Sequence, residues 1–198
     1  MIAIIDYGVG NLFSLSSSLN HLGLDCVITA DREIINKAEK IILPGVGAFA
    51  DARELLRKDG LDSFLIEQAK AKKPFLGICL GMQLLFDKSF EYGEHDGLGL
   101  IGGEIRPIPT SLKIPHIGWN SLEFKKSDPL LKYIKNGDYV YYVHSYCAES
   151  CDESLVAVSD YGTEVAGIVR CGNVCGTQFH PEKSGEVGLN ILKAFGEI

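Results

Sequence analysis

Cys79 lies in Gly77-Ile78-Cys79-Leu80-Gly81, a nucleophile flanked two residues away on each side by glycine. The apolar run Pro74–Ile78 precedes it and a helical pattern follows. That is the layout of a nucleophile elbow, in which a tight strand-to-helix turn lifts one side chain above the sheet. Only a thiolate attacks, and a helix N-terminus or a neighbouring histidine lowers a thiol's pKa. By itself the stretch fits a small buried core cysteine equally well. The second element is Phe179-His180-Pro181-Glu182, after the strand-like Val174–Gln178. Proline biases His180 towards an extended backbone, where residues two apart project to the same side. His180 and Glu182 can then share a face, imidazole as proton acceptor and carboxylate as its orienter. His21, His95, His116 and His144 are alternative bases. His144 is the strongest rival because it too follows a strand-like run.

An acyl-transfer centre also needs donors for an oxyanion. Pro44-Gly45-Val46-Gly47 follows the apolar Lys40–Leu43, and glycines there free the backbone to turn N–H groups towards a ligand. The Leu80 N–H, next after the nucleophile, is the companion donor. The G-K-[ST] ending of a phosphate loop is absent. Gln83 lies one helical turn beyond Cys79, so it can face the same pocket and offer polar anchors to an amino-acid head group. An exposed helical glutamine or a plain strand-to-helix connection would look the same.

The elements that must position these groups alternate in the first half of the chain. Ile2–Ile5, Cys26–Ile28, Lys40–Leu43 and Pro74–Ile78 read as buried strands. Between them lie a helix capped by Asn11 and ended by Gly23, helical pieces Asp51–Lys58 and Asp62–Lys72 broken at Gly60, and a helix through Met82–Phe86. In the second half Gly97–Arg106, Tyr139–Val143, Leu155–Ser159, Val165–Arg170 and Val174–Phe179 are closely spaced and β-like, with Gly172-Asn173 as a hairpin turn. Ser184 is placed to cap a closing helix. The expected fold is one α/β domain over residues 1–198, a doubly wound, mixed but mostly parallel sheet flanked by helices.

Composition narrows the function. The net charge of −7 and the lack of a Lys/Arg block argue against nucleic acid and anionic membranes. No apolar run approaches the roughly 20 residues of a membrane span, and the N-terminus lacks a basic leader, so the cytoplasm is expected. Six cysteines in such a chain read as free thiols. The two C-x3-C pairs, Cys147/Cys151 and Cys171/Cys175, raise a zinc site, but the Gly172-Asn173 turn gives the second pair a simpler reason to be close. No metal and no cofactor are expected.

Taken together, GICLGMQLLF (Gly77–Phe86) and GTQFHPEKS (Gly176–Ser184) resemble the class I glutamine amidotransferases, whose fold is flavodoxin-like. IDYGVGN (Ile5–Asn11), LPGVGAF (Leu43–Phe49), IPHIGWN (Ile114–Asn120) and VHSY (Val143–Tyr146) narrow the resemblance to the glutaminase subunits of imidazole glycerol phosphate synthase. The resemblance implies Cys79 as nucleophile, His180 as base and Glu182 as orienter. It places Gly45, Val46, Gly47 and Leu80 at the oxyanion and Gln83, Ser145 and Tyr146 at glutamine. Asn11, His116, Trp119, Asn120 and Lys183 would face a (β/α)8-barrel cyclase in a heterodimer. Glutaminase activity would be low without that partner, with the Gly45–Gly47 loop as the moving element. Alternatives are a paralogous subunit serving surface-sugar modification, a pyridoxal-phosphate synthase glutaminase, a non-catalytic regulatory subunit and a cysteine peptidase.

Overall fold

A computed structural model describes all 198 residues. The alternating half comprises β1 (Ile2–Ile5), α1 (Leu12–His21), β2 (Cys26–Thr29), α2 (Arg32–Lys37), β3 (Lys40–Leu43), α3 (Phe49–Arg57), α4 (Leu61–Lys70), β4 (Phe75–Ile78) and α5 (Leu80–Leu84). It is followed by β5 (Phe86–Ser89), β6 (His95–Asp96), β7 (Ile101–Pro107), β8 (His116–Ser121), β9 (Glu123–Phe124), β10 (Tyr139–His144) and β11 (Tyr146–Glu149). β12 (Leu155–Asp160), β13 (Glu164–Cys171), β14 (Val174–Thr177) and α6 (Gly185–Glu197) close the chain.

The main sheet has the order β2-β1-β3-β4-β14-β13-β12-β9. The first five strands run parallel and the last three antiparallel, so the expected mixed, mostly parallel sheet is what forms. Successive residues of a strand face opposite sides. Ile2 and Ile4 pack on one face with Leu15 and Leu19 of α1 and Ile191, Leu192 and Phe195 of α6. Ala3 and Ile5 pack on the other with Leu56 of α3 and Leu65 of α4. Strands buried on both faces explain the continuous apolar runs in the sequence. A four-stranded sheet, β11-β7-β5-β6, and the ribbon β10-β8 complete the molecule.

Several local expectations change. Asn11 stands at the N-cap of α1 but its side chain makes no capping bond. Gly23, at φ +70, does close α1: Leu24 N–H bonds Leu19 O and Gly23 N–H bonds Asn20 O, a Schellman arrangement. α2 has no apolar stripe to announce it; Asp31 caps it by accepting from Glu33 and Ile34 N–H groups. The helix expected through Phe86 stops at Leu84. The Leu84 and Leu85 carbonyls accept from Leu98, Leu100 and Ile101 instead, which draws Phe86 into a strand beside Ile101. Ser184 precedes α6 without capping it, its hydroxyl being used elsewhere.

Candidate active site

The parallel pairing of β4 with β14 brings the chemistry together. Gly77 pairs with Gly176 and Ile78 with Thr177, so both strands end at the same edge of the sheet. Cys79 N–H continues the ladder to Thr177 O at 2.8 Å. Cys79 itself takes φ +54, ψ −112, a conformation costing an L-residue of order 1–3 kcal/mol and held only by its surroundings. The flanking glycines make that turn possible. A Cβ on Gly81 would lie 1.8 Å from Leu43 O, and one on Gly77 would lie 2.6 Å from Gly81 O. Helix α5 therefore packs backbone to backbone against the ends of β3 and β4. Cys79 is nearly buried, 7% exposed, at the head of the helix.

His180 lies three residues beyond β14. Its Nδ1 is 2.9 Å from Glu182 Oε1, and both side chains are only 3% exposed. A carboxylate only accepts, so Nδ1 carries the hydrogen and Nε2 is left for the sulfur side. The pair meets even though Pro181–Lys183 coils into a 3-10 turn rather than staying extended, which corrects the extended-segment argument. Ser184 fixes the turn: its Oγ donates to His180 O at 2.7 Å and accepts from Tyr141 N–H at 3.0 Å. Burial disfavours the imidazolium, but hydrogen bonds and charge from Cys79 and Glu182 outweigh it and raise the His180 pKa to about 9.

His144, the rival base, is buried and tied up. Its Nδ1 donates to Tyr146 O at 2.8 Å and its Nε2 faces His116 Nδ1 at 3.0 Å. Burial, with the charges of His116 and His180 adding to it and the Tyr146 bond opposing, depresses its pKa to about 4. It is a poor proton acceptor near neutral pH.

A cleft of about 650 Å³ opens over Cys79 and His180. Val46 and Gly47 of the glycine loop, Leu80, Gln83, Ser145, Tyr146 and Lys183 all line it. Gly47 has φ +98, while Gly45 packs against the elbow, where a Cβ would meet Gly81 N and Tyr7 OH at 2.8 Å. Tyr7 OH donates to Pro44 O, tying the IDYGVGN segment to this loop. Leu80 stands at the first position of α5, where its N–H has no partner within the helix. Gln83 spends its amide N–H groups inside the protein, on Tyr146 O at 3.1 Å and Gln178 Oε1 at 3.0 Å. Ser145 O accepts from Ile108 N–H. The carbonyls of Ser145 and Tyr146 are thus both engaged within the protein.

The cleft also contains groups that sequence reasoning passed over. Glu91 and Tyr92 come from the Asp87–Asp96 stretch, which carried no motif. Glu91 Oε2 accepts from Phe49 N–H at 2.6 Å, a carboxylate against the start of α3. Gln178 lies wholly buried behind the sulfur, its Nε2 3.8 Å from Cys79 Sγ. Its position two residues before His180 was the available signal.

The expected partner residues divide. In the β8–β10 ribbon, Ile117 and Trp119 point outward beside Tyr141, and Ile117 is 57% and Trp119 55% exposed. His116 points inward, stacked between Tyr142 and Tyr161 with centroids 4.6 and 3.9 Å away. It is 2% exposed and unavailable for docking, which the two-residue period of His116-Ile117-Gly118-Trp119-Asn120 already required. Asn120 is half-buried and donates to Asp160 O. Asn11 is half-buried and Lys183 exposed. No three His, Cys, Asp or Glu side chains are grouped to hold a metal ion, and no helix is long and apolar enough to cross a membrane.

An elbow thiol, a histidine–carboxylate pair and a glycine loop on one edge of a doubly wound sheet define a triad-type amidotransferase centre. The glutamine amidotransferase class-I family model matches residues 3–197, and the chain belongs to that family of enzymes. Within it, the chain is 53% identical over 199 residues to the imidazole glycerol phosphate synthase subunit HisH of Caldanaerobacter subterraneus subsp. tengcongensis, covering 100% of this chain and 98% of the relative. It is 49% identical to the subunit of the same name from Oceanobacillus iheyensis, over 100% and 99% of the two chains. Among solved structures, a glutamine amidotransferase superposes with a TM-score of 0.78 at 17% identity, covering 99% of this chain and all of the other. PurLQS from Thermotoga maritima superposes with a TM-score of 0.73 at 22% identity, over 98% and 96%. At such identities these two establish the fold alone.

Proposed function

We propose that the chain is the glutaminase subunit of an imidazole glycerol phosphate synthase, with Cys79, His180 and Glu182 as its triad. The thiolate of Cys79 attacks the side-chain amide carbon of glutamine. The oxyanion that forms takes hydrogen bonds from Leu80 N–H and the Gly45–Gly47 loop. The His180 imidazolium, held by Glu182, protonates the departing ammonia and leaves a glutamyl thioester. Neutral His180 then draws a proton from water, the water attacks the thioester, and glutamate leaves as the thiolate re-forms. Gln83, Ser145 and Tyr146 shape the pocket for the amino-acid end. The chemistry calls for no metal and no cofactor. All 198 residues serve as one amidotransferase domain acting in the cytoplasm.

The ammonia needs an acceptor, and the same reading assigns it to a (β/α)8-barrel cyclase bound as a heterodimer in histidine biosynthesis. The outward face of the ribbon, with Ile117, Trp119 and Tyr139 exposed, lies beside the cleft through Val143 and offers the apolar docking surface. Lys183 at the cleft mouth and Asn11 complete it. The observation that carries the proposal is the His180–Glu182 pair closing behind an elbow cysteine on the neighbouring strand end. The test is glutamate release with and without the cyclase and its acceptor ligand. Activity that is low alone, rises strongly in the complex and vanishes in Cys79→Ser supports it. Full activity in the isolated chain, or survival in Cys79→Ser, would sink it.

A further inference from the structure

We propose that Gln178 is a catalytic residue of this site, donating its side-chain N–H to the Cys79 sulfur in an orientation locked by Gln83. The proposal rests on the reading of Cys79 as the nucleophile and assigns it a donor outside the triad. Gln178 is fully buried and does not line the cleft, so substrate does not reach it. Its Nε2 lies 3.8 Å from Cys79 Sγ, a normal span for a hydrogen bond to sulfur.

A primary amide has a donor end and an acceptor end, and the end that faces the sulfur decides the sign of the effect. Tyr146 O is a fixed backbone acceptor. It takes N–H bonds from His144 Nδ1 at 2.8 Å and Gln83 Nε2 at 3.1 Å. That orients the Gln83 amide, whose same nitrogen donates to Gln178 Oε1 at 3.0 Å. A flipped Gln178 would set two NH2 groups against each other. A flipped Gln83 would set its oxygen against a carbonyl. The polarity therefore runs from a backbone carbonyl through two buried amides and delivers N–H, not C=O, to the sulfur.

The opposite contact explains the need. Val143 O lies 4.0 Å from Sγ and is an acceptor only. It suits the neutral thiol, whose S–H can point at it, and repels the thiolate. Gln178 offsets that bias towards the unreactive form. The same donor serves when the thiolate leaves during hydrolysis of the thioester. No proton passes to or from Gln178 in either step.

The test is the rate of Cys79 alkylation by iodoacetamide against pH, read by mass spectrometry of the Cys79 peptide in the full-length chain. In Gln178→Met the alkylation rate at pH 7 is expected to fall about tenfold, with the profile converging on wild type at high pH. Gln178→Asn, with its amide drawn back by one methylene, should fall between them, and it decides the matter if the methionine variant does not fold. A folded variant whose profile coincides with wild type overturns the proposal. Failure of the underlying reading shows separately, in the wild type: Cys79 would label no faster at pH 7 than exposed Cys171, and both would fall.

Discussion

Replacing Glu182 by Gln removes one charge and almost no volume, and the structure fixes what should follow. The carboxylate accepts from His180 Nδ1 at 2.9 Å with both side chains 3% exposed. His180 is lifted from 6.5 to about 9 against the effect of burial, a preference for the imidazolium of roughly 3 kcal/mol. Cys79 and Glu182 both contribute. With Cys79 contributing as well, the Glu182 charge is worth on the order of 1 to 2 kcal/mol, or about tenfold. Imperfect imidazole orientation adds to that, so kcat should fall about 10- to 100-fold. KM should barely move, because Glu182 lies behind the imidazole and does not line the cleft. The assay is steady-state glutamate release in the presence of the cyclase, across pH. The alkaline limb of kcat, which reports the imidazolium that protonates ammonia, should move to lower pH. A kcat within about twofold of wild type and an unmoved limb would refute the reasoning.

His180 should also write itself into stability. A folded pKa raised above the unfolded value gives stability that is fully present below about pH 6.5 and lost as pH rises through about 9. Urea unfolding of wild type should therefore weaken across that window by up to roughly 3 kcal/mol more than that of His180→Gln. Gly81→Ala would drive a Cβ to 1.8 Å from Leu43 O, where no flexible side chain can yield; a loss of about 3 kcal/mol or more in denaturant titrations is expected. Arg170, near the end of β13 and paired with Cys175 at the start of β14, lies opposite the cleft; its Nε holds Asp128 at 2.6 Å with side-chain exposures of 14% and 4%. Arg170→Leu should cost about 3 kcal/mol in the same titration and leave glutaminase kcat in the complex unchanged.

The parallel core was legible because each strand is buried on both faces and each needs a helix to return, so apolar runs alternate with helical stripes. The elbow was legible because its glycines have no substitutes at backbone contact distance. What escaped depended on distant partners. Phe86 leaves the helix because Leu98, Leu100 and Ile101 capture the preceding carbonyls. Ser184 sits at a helix start yet spends its hydroxyl pinning His180 to Tyr141, a use that needs β10 alongside. Strand alternation sets His116 and Trp119 on opposite faces of β8, and packing between Tyr142 and Tyr161 decides that His116 takes the inner one. Gln178 was passed over because an amide in a strand carries no chemistry until a sulfur lies behind it.

The most direct test of the central claim, that Cys79 is the nucleophile towards glutamine, is covalent trapping with a diazoketone analogue of glutamine. The protein is incubated with its cyclase and analysed by mass spectrometry. The expected result is one adduct, on Cys79, suppressed by excess glutamine and lost in His180→Gln. An unmodified Cys79, or an adduct spread over the exposed thiols and indifferent to glutamine, would contradict the account.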